Sequence, residues 1–234
     1  MSLSGSNTAL IGALVLTAAC TPQPGLDGAR LYQPGVVDIA LPVASVQQRK
    51  FQTVIQQQYD FSCGSGALAT LLRFHYGDPQ NEQSVFLGMW REGDRAAIRR
   101  LGFSLLDMKR YLAGRGIAAD GYKVTLEQIA RVGSPGIALV DTQGYKHFVV
   151  VKGFDNGRVL VGDPALGLRR ITTGEFSKIW NGVYFVINAR AGSKTGSFAS
   201  PTEWALAPGA PSFAPTEPLS QAALSLTRPI LGDI

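Results

Sequence analysis

The chain holds two cysteines and two histidines in 234 residues, so thiol–imidazole chemistry can rest on only a few positions. Cys63 lies in QQYDFSCGSGALATLLRFHYGDP, residues 57–79, where a polar run gives way to an apolar one. Thiols attack carbonyls as thiolates, and the partial positive charge and free N–H groups of a helix start favour that form. At such a start, Cys63 is a candidate nucleophile for acyl transfer. The reaction also needs a general base. His75 falls three turns along the helix that Cys63 begins, too far to reach the sulfur, and reads as a cap or core contact. His147 opens HFVVVKGF, the most strand-like run in the chain. A lone strand histidine is commonly a satisfied polar neighbour at a sheet end; with Cys63 in the same chain, His147 becomes the candidate base.

An acid that orients the imidazole must come from nearby, and the hairpin after His147 allows a geometric test. If the loop in Phe154-Asp155-Asn156-Gly157-Arg158 is residues 155–157, with Gly157 left-handed, Phe154 opposes Arg158. Asp163 then opposes Val149, and His147 and Asp163 share a face as diagonal neighbours, roughly 7–8 Å apart at their origins. A two-residue Asn-Gly loop would place them on opposite faces unless a bulge intervened, so their pairing predicts the longer loop. Asp163-Pro164 is also a common turn device, with the carboxylate accepting local N–H groups. The developing oxyanion needs donors; the Cys63 N–H is one candidate and a side-chain amide another. Residue chemistry does not choose among Gln56, Gln57 and Gln58.

These positions need a scaffold. Ala67, Leu68, Leu71, Leu72 and His75 recur at helical spacing, so the pattern predicts a helix over 63–76, stopped by Gly77 and Asp78-Pro79. A second helix is expected near 81–91. Ser104 with Asp107, and Thr125 with Gln128, form capping boxes for helices ending at Gly114 and Gly133, flanking a strand near 116–124. After Pro135 the runs GIALVD, HFVVVKGF, RVLVGD, RRI and VYFVIN are rich in β-branched and aromatic residues and separated by turn residues. Helices followed by an antiparallel sheet imply an α+β domain over 49–190. HFVVVKGF is apolar on both faces, so it should be a central strand covered on both sides. Residues 21–48 read as a Pro/Gly-rich tether leading into an extended segment, and 191–234 as a Pro/Ala/Ser-rich tail, flexible or draped on the surface.

The formal charge of +5 is carried on stretches such as WREGDRAAIRRLGFSLLDMKRY, where interspersed acids and the lack of a stacking pattern argue against nucleic acid as a partner. No metal-cluster spacing stands out, and no cofactor is expected. Residues 1–20 contain an apolar run from Ala9 to Ala19, of the length of an export signal and short for a membrane span. Leu16-Thr17-Ala18-Ala19-Cys20 resembles the bacterial lipobox, which implies acylation of Cys20 and anchoring to a membrane; ordinary cleavage near Ala19 and a buried N-terminal helix are the alternatives. With Cys20 lost or lipidated, Cys63 has no disulfide partner in an exported protein, which leaves it core packing or chemistry.

Gln57, Cys63-Gly64, Tyr76-Gly77, His147-Phe148-Val149-Val150-Val151, Asp163-Pro164-Ala165-Leu166-Gly167 and Glu175-Phe176 through Trp180 together resemble the double-glycine leader peptidases, papain-like cysteine peptidases of the bacteriocin-processing type. The resemblance implies a papain-like fold, with Cys63 as nucleophile, His147 as base and acid, and Asp163 as orienter. It selects Gln57 as the oxyanion-hole residue. Ser62 stands where the family commonly has an acidic residue. No exporter segments follow, so the resemblance is to a stand-alone, periplasmic member, of a kind that includes a peptidase accompanying functional amyloid export. It implies a peptide or protein substrate cut after small residues such as Gly-Gly, with a secreted or amyloid-forming protein and its export machinery as partners. Two rival readings use the same residues: a catalytically idle peptide-binding module of a secretion system, and a Cys/His amidase or endopeptidase acting on the cell wall.

Overall fold

The computed structural model describes residues 28–33, 37–42, 44–59, 61–142, 144–188 and 197–208. The signal-like segment 1–20 and the lipidation expected at Cys20 lie outside them. The chain divides into two units after Ala44. In the first, β1 (Gly28–Gln33) and β2 (Val37–Pro42) pair as an antiparallel hairpin. The stretch read as a tether thus contains paired backbone.

The second unit begins with α1 (Val46–Lys50), α2 (Cys63–His75), α3 (Glu82–Glu92), α4 (Arg95–Leu101) and α5 (Leu105–Gly114). Next come β3 (Ala119–Lys123), α6 (Leu126–Val132), β4 (Gly136–Thr142), β5 (Tyr145–Asp155), β6 (Arg158–Asp163) and β7 (Gly167–Thr172). Then follow α7 (Thr173–Ile179), β8 (Trp180–Ile187) and α8 (Pro201–Leu206). The capping boxes at Ser104/Asp107 and Thr125/Gln128 both form, and further ones, Ser45 with Gln48, Asn81 with Ser84 and Thr172 with Glu175, start α1, α3 and α7. The strands after residue 118 make one antiparallel sheet in the order β3-β8-β4-β5-β6-β7. Fold class is α+β, as expected, and β5 is an interior strand buried from His147 to Gly153.

Burial of both faces of β5 explains its unbroken apolar run. Phe148 and Val150 face a cluster built with Leu68, Leu71 and Leu72 of α2 and Met89 of α3. Val149 and Val151 face the opposite cluster, with Val159, Val161 and Phe176 of α7. Burying these side chains is the main drive for folding, at about 1.5–3 kcal/mol for each large apolar one. Helix α2 is buried at every position from Cys63 to Leu72, so it runs through the core.

The β5–β6 turn corrects one expectation. Asp155 opposes Arg158 and Phe154 opposes Val159 around the two-residue turn Asn156-Gly157, where both φ angles are positive, 46° and 71°. An Asn-Gly pair adopts this left-handed turn readily, and its twist matches that of the strands. The three-residue loop is therefore absent. A bulge between Gly153 and Val151 leaves Lys152 as the extra residue, and beyond it Val151 opposes Val161 and Val150 opposes Gly162. That is the register the longer loop would have produced; turn and bulge together shift the pairing by the needed residue.

Of the tail expected over 191–234 to be flexible or draped on the surface, residues 197–208 pack on the domain. Helix α8 docks there: Trp204 and Ala207 pack against Val54, Leu160 and Leu168. Glu203 forms an ion pair with Lys152 at 2.5 Å, and the Ala199 N–H donates to Lys152 O at 2.7 Å. Composition hid this helix because Pro201 and the alanines give it no apolar period, and its partners are distant in sequence.

Candidate active site

The nucleophile candidate sits at the first residue of α2, with Ser62 as N-cap. Cys63 is buried and is a free thiol among the described residues. The helix is brought against the loop after β6 by Gly66, where an added Cβ would lie 2.9 Å from Cβ of Pro164. Any side chain there would hold α2 away from Asp163-Pro164.

His147 leaves β5 near its start, on the face shared with Val149 and opposite to that covered by α2. Sulfur and imidazole meet around the end of the sheet. His147 Nε2 donates to Asp163 Oδ1 at 2.8 Å, so the restored register closes the pairing predicted from sequence. The same oxygen accepts the N–H groups of Ala165 at 2.8 Å and Leu166 at 3.1 Å. Asp163 thus makes the turn and holds the imidazole at once. With Nε2 engaged, the buried Nδ1 has no well-formed hydrogen bond of its own and is the ring nitrogen left for Cys63. Burial alone would pull the imidazole pKa down, but the hydrogen bond to Asp163 and the nearness of the Asp163 carboxylate and the Cys63 sulfur, which favour the charged ring, outweigh it and raise it from 6.5 to about 9. Burial would likewise raise the Asp163 carboxyl; the His147 hydrogen bond and charge and the two N–H donors override that and lower it.

Gln57 is half-buried, whereas Gln56 and Gln58 are exposed. Its N–H donates to Pro164 O at 2.9 Å, which ties it to the turn beside Asp163. Its side-chain Nε2 donates to Tyr59 O at 3.1 Å; an amide nitrogen carries two N–H groups, so one remains. His75 lies at the far end of α2, roughly 18 Å along the axis at 1.5 Å per residue, buried away from Cys63. Cys63 lines a cleft of about 640 Å³ with Phe61, Phe103, Leu139 and Phe148. His147 and Asp163 line a smaller cavity of about 260 Å³ with Val161 and Phe176, and Tyr145 borders both.

Sequence reasoning missed three neighbours. Tyr145 stacks on the His147 ring with centroids 5.9 Å apart; the same-face spacing of two in a strand could have shown it. Arg169 comes within 3.7 Å of Asp163 Oδ2, a cross-strand relation that needs the β6–β7 register. Glu82 reaches the loop before Cys63 from α3, and nothing in the sequence marks it.

A buried thiol at a helix start, met by a carboxylate-bonded imidazole from an antiparallel sheet, defines the papain-like class of cysteine peptidases. Residues 51–192 match the model of the Peptidase C39 family, and the chain belongs to that family. It is 41% identical over 170 residues to the "Probable functional amyloid protease FapD" of Pseudomonas aeruginosa, covering 73% of this chain and 75% of that protein. Identity to the protein of the same description from Pseudomonas fluorescens is 39% over 168 residues, covering 72% and 74%. The lactococcin-G-processing and transport ATP-binding protein LagD of Lactococcus lactis subsp. lactis is 32% identical over 133 residues, 56% of this chain and 18% of that one. Among solved structures, a double glycine motif protease from an AMS/PCAT transporter, in complex with the leader peptide, is 27% identical with a TM-score of 0.49. The match covers 57% of this chain and 89% of that one.

Proposed function

We propose that this cysteine peptidase is an envelope endopeptidase that cuts a secreted partner protein after small residues such as Gly-Gly, with Cys63, His147, Asp163 and Gln57 as its working groups. The observation that supports the assignment of roles is the Asp163–His147 hydrogen bond through Nε2, which leaves Nδ1 to serve the sulfur at the start of α2. His147 Nδ1 takes the Cys63 proton, which leaves a thiolate beside an imidazolium. The thiolate Sγ attacks the substrate carbonyl carbon, and the displaced electron pair becomes an oxyanion that accepts the Cys63 N–H and the second Nε2 N–H of Gln57. Imidazolium 147 gives its Nδ1 proton to the departing amine as the C–N bond breaks, leaving a thioester. Water then attacks the thioester, His147 takes its proton, and the carboxylic acid leaves as the C–S bond breaks. Asp163 keeps the ring in one tautomer and balances its charge throughout.

The small-residue preference rests on the family resemblance. Likeness to two proteins described as functional amyloid proteases supports a secreted, amyloid-forming substrate, and the apolar run ending at Cys20 supports periplasmic placement with a lipid on that cysteine. Comparing the N-termini of envelope proteins in cells making the wild-type chain and cells making Cys63→Ala tests the function. New N-termini following small residues are expected only with the wild type; the same termini with Cys63→Ala would refute it. Labelled fatty acid incorporated into the wild type and lost in Cys20→Ser tests the anchor.

A further inference from the structure

We infer that Glu82 is a positioning residue for the oxyanion hole, acting through the loop that joins Gln57 to Cys63. The inference rests on the reading of Gln57 as an oxyanion donor. Glu82 is the first residue of α3 and is buried, 4% exposed. A buried carboxylate is costly unless hydrogen-bonded. Its Oε1 accepts the Gln58 N–H at 3.1 Å and lies 2.5 Å from Ser62 Oγ. The Ser62 hydroxyl has one proton and two acceptors in reach, the carboxylate and Tyr59 O at 2.9 Å. Charge-assisted bonds are the stronger and shorter ones, so the proton goes to Glu82. That leaves the Ser62 oxygen to accept the Tyr59 N–H at 3.2 Å.

One carboxylate therefore fixes three points of a loop, at 58, 59 and 62, and those points bracket the groups that would bind the oxyanion. Tyr59 O, which holds the Gln57 side chain, also accepts the Ser62 N–H at 3.1 Å. The Cys63 N–H follows Ser62 directly. Glu82 itself is fixed by α3, whose Val85 and Met89 are fully buried, and the α3 N-terminus favours its negative charge. Loss of the carboxylate frees the loop without touching sulfur, imidazole or Asp163.

Two reagents separate this role from general loosening. Iodoacetamide alkylates the thiolate by direct displacement and forms no oxyanion, whereas p-nitrophenyl acetate acylates it through one. The full-length Cys63→Ala protein subtracts any reaction at Cys20. Removing or misplacing an oxyanion donor should slow acylation of Glu82→Ala and of Gln57→Ala by roughly 10-fold or more. Alkylation of both should stay within about 2-fold of wild type, because it reads only the thiolate. Glu82→Gln, which keeps an acceptor oxygen, should retain most of the acylation rate. Slow acylation in Gln57→Ala with a wild-type rate in Glu82→Ala overturns the role of Glu82 alone. An unchanged rate in Gln57→Ala removes the underlying reading of Gln57 and this inference with it. Equal losses of both reactions in Glu82→Ala, with circular dichroism showing a folded protein, make Glu82 merely structural and also overturn it.

Discussion

Lys152 and Glu203 form an ion pair at 2.5 Å, with the lysine side chain wholly buried and the glutamate nearly so. The lysine is the extra residue of the β5 bulge, and its Nζ also donates to Thr53 O at 2.8 Å. Burial lowers the lysine pKa, and Glu203 acts against that. The segment 197–208, outside the residues matched to the family, thus neutralises a charge inside the domain.

Glu203→Ala should strongly destabilise the protein, because it leaves a buried ammonium unpaired; about 3–5 kcal/mol is the usual cost. Lys152→Met combined with Glu203→Leu should cost much less. Guanidinium unfolding of the three proteins measures this, and a Glu203→Ala midpoint equal to wild type would show the pair to be dispensable.

Asp163→Asn should lower the His147 pKa from its value of about 9, by roughly 1–3 pH units for the loss of one adjacent opposite charge. Peptidase activity should drop about 10²-fold or more, since the ring loses both its orientation and its counter-charge. With only two histidines in the chain, NMR of labelled imidazole carbons resolves the titration. An unmoved His147 curve would contradict the geometry.

The pairing also makes stability depend on pH. His147 has a folded pKa raised above its unfolded value, so its contribution is complete below 6.5 and is lost as pH rises through about 9. Asp163 is shifted the other way, so its contribution is present above the normal carboxylate value of 3.8 and is lost as pH falls through its lowered folded pKa. Denaturant midpoints taken from pH 6 to 10 should fall in the wild type and fall less in His147→Gln. Parallel curves would rule the linkage out.

Gly66→Ala separates stability from activity. Alanine is favoured over glycine within a helix by about 1 kcal/mol, which offsets part of the contact with Pro164 at 2.9 Å. The shift that relieves this contact moves Cys63 relative to His147. Activity is expected to fall roughly 10-fold or more, as small misplacements of reacting groups do, with a melting temperature near that of wild type. Full activity would mean that α2 and the Pro164 turn do not set the spacing.

The sequence by itself determined the local elements and the residue types of the site. Helix α2 was legible from Ala67, Leu68, Leu71 and Leu72, α5 and α6 from their capping boxes, and β5 from its apolar run, because these signals act over a few residues. Cys63 and His147 stood out because thiols and imidazoles are scarce in the chain. Only the tertiary structure decided how they meet. The Asn156-Gly157 turn alone would have put His147 and Asp163 on opposite faces, and the bulge at Lys152, supported by Thr53 and by Glu203 of α8, reversed that. Glu82 beneath the Gln57 loop, Arg169 beside Asp163 and the docking of residues 197–208 were equally illegible. Each depends on register or packing between segments far apart in the chain, and a one-residue slip, which leaves every local propensity unchanged, moves a whole strand's side chains to the other face.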